Sequence, residues 1–136
     1  MIVLSSSNAQ VLLPGQSATF NTVVLHTGCG ECYRPNTGVV NLAGRNSIYE
    51  VDFSGNIGAE TAGVAAQLAI SIDTSPLLET TMISTTAEVG DLNNVSAGTI
   101  IKTCCCIASN AITVVNTGST PVNLGANPCL RVKRCA

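Results

Sequence analysis

Ile48-Tyr49-Glu50-Val51-Asp52-Phe53-Ser54-Gly55-Asn56-Ile57 alternates strictly after its first residue. Tyr49, Val51, Phe53, Gly55 and Ile57 share one parity, and Glu50, Asp52, Ser54 and Asn56 share the other, which predicts a strand with one apolar and one wet face. A slip of one residue would bury two carboxylates, so the pattern specifies its own register. Residues 64–73 read the same way, with Val64, Ala66, Leu68, Ile70 and Ile72 on one face. Val64, Leu68 and Ile72 also match a helical stripe, and the alanines favour a helix. Ile70 would spoil the polar face of that helix and the neighbouring segments run at period two, so a strand is expected here too.

Outward from these two segments, turn signals recur at Pro14-Gly15, Gly28 to Gly30, Pro35-Asn36-Thr37-Gly38, Ser75-Pro76, Gly90-Asp91, Thr117-Gly118 and Asn127-Pro128. Between them lie short apolar or alternating runs, which predict further strands over 18–25, 39–42, 79–88, 99–106, 111–116 and 129–135. The 27–37, 75–78 and 91–96 segments read as loops. Eight or nine short strands without intervening helices point to an all-β, two-sheet antiparallel jelly-roll sandwich. No repeat or linker divides the chain, and residues 1–136 are expected to form a single domain.

Composition narrows the function. Only 10% of the 136 residues are charged, against about 25% in ordinary domains, while 46% are hydrophobic and the net charge is −2. Ser, Thr and Asn number 39 and cover much of the remaining surface. So uncharged a surface gives little protection against self-association, which favours a symmetric oligomer. The one basic cluster, Arg131, Lys133 and Arg134, is too small to neutralise a phosphate backbone, so nucleic acid is not an expected partner. It reads as a solvated edge strand whose cations discourage aggregation. No apolar run approaches the roughly 18–20 residues of a membrane span, and Met1-Ile2-Val3-Leu4 lacks the charged leader of a signal peptide.

Seven cysteines stand out: Cys29 and Cys32 in a CxxC, the triplet Cys104, Cys105 and Cys106, and Cys129 and Cys135. Three readings are open for them. They serve as small buried thiols in a sheet, form disulfides, or use Cys29, Cys32, Cys104 and Cys106 to hold a metal such as zinc. The second half of a CxxC…CxxC pattern is missing, which weakens the metal reading. His26 is the single histidine and sits at a predicted strand end, where a solvent-facing or interface role is ordinary, so no catalytic residue is expected. Glu50 and Asp52 share a strand face, where solvation or contact across a subunit boundary accounts for them. Gly28-Cys29-Gly30 lacks the G-K-[ST] ending of a phosphate loop.

Several phrases in order carry a family resemblance: Leu13-Pro14-Gly15-Gln16 leading to Phe20-Asn21, the 48–57 strand, Gly63 through Ile72, Asn94-Val95-Ser96-Ala97-Gly98-Thr99, Ile112-Thr113-Val114-Val115-Asn116-Thr117-Gly118, and Leu130-Arg131-Val132-Lys133-Arg134. Together they resemble the bacterial and bacteriophage C1q/TNF-like jelly roll, the type that forms the C-terminal heads of exosporium collagen-like glycoproteins. The resemblance implies a ten-stranded jelly roll assembled as a homotrimer, with loops displayed at one end. A typical member follows a Gly-x-y stalk, and none is present here. Aromatic residues are sparse, so aliphatic packing would have to fill the trimer axis.

The expected function is therefore a non-enzymatic, trimeric structural or adhesion module on a phage virion or bacterial cell surface. Its partners would be itself and a surface glycan, host receptor or virion protein. His26, Tyr33, Arg34, Tyr49, Arg131 and Lys133 are the candidate trimer or ligand contacts. The alternative is a cysteine-based metal-binding or redox protein.

Overall fold

The computed structural model describes residues 1–28, 30–103 and 109–136. Within them lie strands β1 (Ile2–Ser5), β2 (Gln10–Leu12), β3 (Thr22–His26), β4 (Glu31–Tyr33), β5 (Val40–Ala43), β6 (Ile48–Ala59), β7 (Ala65–Ile72), β8 (Ser75–Pro76), β9 (Met82–Thr85), β10 (Asn93–Lys102), β11 (Ser109–Asn116), β12 (Val122–Leu124) and β13 (Cys129–Arg134). A 3-10 turn spans Leu78–Thr80.

The alternating 48–57 segment becomes β6, the spine of the first sheet. Along one side it pairs antiparallel with all of β10, from Ile48 opposite Lys102 to Ile57 opposite Asn93. Its other side is divided between β13, opposite residues 49–54, and β12, opposite residues 57–59. Beyond β13 lie β1 and then β3, and β2 lies beyond β12. The second sheet runs β4-β5-β11-β7, with β8 and β9 sharing the far side of β7.

The apolar parities of both sheets face each other. Tyr49, Val51, Phe53 and Ile57 of β6, Leu130 and Val132 of β13, and Ile2 and Leu4 of β1 meet Val40, Leu42, Leu68, Ile70, Ile112 and Val114 across one shared core. Each such side chain contributes about 1.5–3 kcal/mol on burial. The two-sheet antiparallel architecture is as the periodicity predicts.

Several boundaries differ. The 91–96 segment, expected as a loop, is mostly strand, because β6 is long enough to offer backbone partners to Asn93, Asn94 and Ser96, which carry no apolar alternation of their own. The strand expected at 79–88 shortens to β9, since the Thr80 hydroxyl accepts from Ile70 N–H at 2.9 Å and donates to Leu77 O at 2.6 Å, fixing a turn first. The strand expected at 18–25 starts at Thr22, although Ala18 and Phe20 are fully buried ahead of it. β1, β2, β12 and β4, the last inside the expected 27–37 loop, are too short to show a period. The basic segment 131–134 is not an edge: β13 lies between β6 and β1. On β7 the expected wet face is also partly covered, with Ala69 at 0% and Ser71 at 2% exposure. The 117–121 loop folds along it, with Gln67 Nε2 donating to Thr117 Oγ1 at 3.0 Å and Thr120 Oγ1 to Ala65 O at 3.2 Å.

Candidate functional site

The face of the first sheet turned away from the core is built from the polar parity of β6 and its neighbours. Glu50 and Asp52 from β6 stand beside Lys133 and Arg131 from β13, and Gly98 of β10 lies opposite Asp52. Arg131 Nη2 donates to Asp52 Oδ2 at 2.5 Å and to Glu50 Oε1 at 3.3 Å. The hydrogen bond and charge of Asp52 raise the Arg131 pKa above the ordinary arginine value. A Cβ at position 98 would run into Asp52 Oδ1, so glycine leaves the space that this carboxylate fills. Asp52, Ser54, Ser96, Cys129 and Arg131 line a shallow hollow of about 560 Å³.

Apolar residues flank this polar centre. Ile100 on β10 is 71% exposed and Val24 on β3 is 62% exposed. All five residues of β3 are exposed.

Of the residues predicted as contacts, Arg131 and Lys133 lie on this face and His26 lies at the end of β3, with Nε2 3.1 Å from the Glu31 carbonyl oxygen. Arg34 is exposed beyond β4, away from them on the second sheet's side. Tyr33 is half-buried and braces a loop, its hydroxyl donating to Phe20 O at 2.5 Å while accepting from Phe20 N–H at 3.1 Å. Tyr49 is a correction to the expectation. It is fully buried, its hydroxyl lying 2.7 Å from Ala43 O and 3.0 Å from Gly30 O, because the apolar parity that carries it faces the core.

Cys32 and Cys135 are exposed free thiols and Cys129 is a half-buried one, so these three do not act as core hydrophobes. Cys29, Cys104, Cys105 and Cys106 lie outside the described residues. Among the described residues no three His, Cys, Asp or Glu side chains converge as metal ligands. Sequence reasoning missed Glu31, a buried carboxylate whose Oε1 accepts from Arg134 N–H at 3.2 Å. A lone acidic residue in a turn-rich segment carries no burial signal.

Murine APRIL, solved at pH 5.0, superposes with a TM-score of 0.65 at 13% identity, covering 97% of this chain and 96% of that one. The globular domain of zebrafish complement 1qA superposes with a TM-score of 0.67 at 11% identity, covering 97% and 94%. The fold is a C1q/TNF-like jelly roll. No family model matches the sequence, and no curated protein matches it. In this jelly roll the Glu50, Asp52 and Arg131 cluster is built from β6 and β13, and β10, β2 and β3 are the outer strands of their sheet.

Proposed function

We propose that this chain is a non-enzymatic structural or adhesion module that works as a homotrimer on a phage virion or a bacterial surface fibre, akin to the collagen-like glycoprotein heads. The carrying observation is the first sheet. It offers a bare face bounded by β10, ten residues long, and by the wholly exposed β3, with Ile100 at 71% exposure on the former. A long, weakly charged edge strand invites pairing with further chains, and a closed ring of copies removes that hazard. The Asp52 and Arg131 pair at the centre of the face supplies polar groups that fix how copies meet, since charges across an interface contribute mainly specificity. Display on a particle or fibre, with a surface glycan, host receptor or virion protein as partner, fits a rigid sandwich with loops free to vary.

Multi-angle light scattering at micromolar concentration tests assembly. The expected mass is three times the 13.9 kDa of one chain. A particle of one chain mass under those conditions overturns the reading.

A further inference from the structure

The second sheet carries its own hollow, on the side opposite the core, with a volume of about 640 Å³. That lies within the usual range for small-molecule sites. Its floor is the outward row of β11, where Thr113 and Val115 are half-buried, together with Ser71 of β7, which stands opposite Thr113 and is 2% exposed. One wall is the segment at Ser17, which bridges to Val115. The other wall is the β7–β8 turn, in which Asp73 (φ 48°) and Thr74 (φ 71°) are both left-handed, as a two-residue type I′ hairpin turn requires. The turn is held against the sheet: Asp73 Oδ1 accepts from Ala111 N–H at 2.8 Å, and its Oδ2 accepts from the Asn110 amide.

The lining defines a ligand chemistry. The hydroxyls of Ser17, Ser71, Thr74 and Thr113 have no hydrogen-bond partner among the described residues, and each offers one donor and two acceptor positions. Ser71 sits at the floor, where the little surface that it keeps borders the hollow. No Lys, Arg or His lines the hollow, so an anion finds no counter-charge; the single carboxylate, Asp73, already holds two donors. Val39 and Val115 supply apolar surface between the hydroxyls. A matching ligand is uncharged, with many hydroxyl groups set around an apolar C–H face.

We propose that this hollow binds a neutral saccharide unit. The site lies on the opposite sheet from the face assigned to assembly, so it stands whether or not the chain forms trimers.

Amide NMR titration of the full chain with galactose, mannose and N-acetylglucosamine, each as free sugar and methyl glycoside, tests the proposal. Sialic acid serves as the anionic control and indole as the apolar one. At least one neutral sugar is expected to shift the amides around residues 71, 113 and 115 in a saturable way. Thr113→Val, which keeps the shape and removes a hydroxyl, should weaken binding about tenfold, the equivalent of one lost hydrogen bond of about 1.4 kcal/mol. Thr113→Trp, which fills the hollow, should abolish it, and retained amide dispersion confirms that each variant is folded. Preference for a methyl glycoside marks a glycan unit, and preference for the reducing sugar marks a free monosaccharide. Absence of saturable shifts with every neutral sugar, equal binding by both folded variants, or stronger binding of indole or sialic acid overturns the proposal.

Discussion

Arg131 Nη2 lies 2.5 Å from Asp52 Oδ2 across the β6–β13 ladder, on a face where the two side chains remain 46% and 37% exposed. An ion pair so open to water contributes little to the stability of a lone chain. Buried between copies of the chain, the same pair would be shielded from salt and would penalise any arrangement that left one charge unmatched. Its geometry thus bears more on how copies meet than on whether one copy folds.

Gly98→Ala tests the space that this pair occupies. The new methyl group displaces the Asp52 carboxylate, which can swing aside only by giving up its position against Arg131. The substitution is expected to lower the urea midpoint in the wild-type background and to be neutral or slightly favourable in Asp52→Ala, where alanine's lower backbone entropy loss prevails. Equal effects in both backgrounds would show that Asp52 does not exclude the side chain.

Ile100→Asp separates assembly from folding. The side chain is 71% exposed, so the single chain should retain its β circular-dichroism signal and lose less than about 0.5 kcal/mol. Light scattering should fall to the mass of one chain. A variant that remains trimeric would remove the β10 edge from the interface.

Tyr49→Phe deletes one oxygen from the centre of the fold. The hydroxyl serves the carbonyls of Ala43 and Gly30, joining β6 to the ends of β5 and β4. Loss of about 1–2 kcal/mol is expected from urea unfolding, with little change in assembly, because the residue is fully buried within one chain. A strong effect on the assembled mass without loss of stability would contradict that placement.

Thr86→Val should act in the opposite direction. Thr86 is 3% exposed and its hydroxyl oxygen is buried without a partner among the described residues, so replacing it with a methyl group removes an uncompensated desolvation cost. A gain of about 1 kcal/mol in unfolding free energy is expected. Destabilisation would reveal a bond to that oxygen.

Much of this architecture is legible in single segments. In β6 each residue's parity states its face, and a slip of one residue would bury Glu50 and Asp52 and expose Tyr49, Val51 and Phe53, so no competing register survives. The same logic places Arg131 and Lys133 on the outer side of β13, with Leu130 and Val132 inside. Tyr49 illustrates its misuse: its parity marked it as core although it was named as a contact, and the parity prevailed. In the N-terminal half of β10 only Val95 and Ala97 turn toward the core, an alternation too short to mark a strand beside Asn93 and Asn94.

The chain alone therefore determined the two-layer β character and the core-facing parity of β6 and β13, because those depend on local alternation and the cost of burying charge. Lateral order is a different matter. Whether β13 is an edge or an interior strand depends on β1, more than a hundred residues away, docking beside it with Val3 opposite Arg131. The Ser71 hollow likewise exists only because the segment at Ser17 and the 73–74 turn rise on either side of β11. Period two specifies an inside and an outside, but neighbours distant in sequence are chosen by packing, and packing alone sets an ion pair on one sheet and a row of hydroxyls on the other.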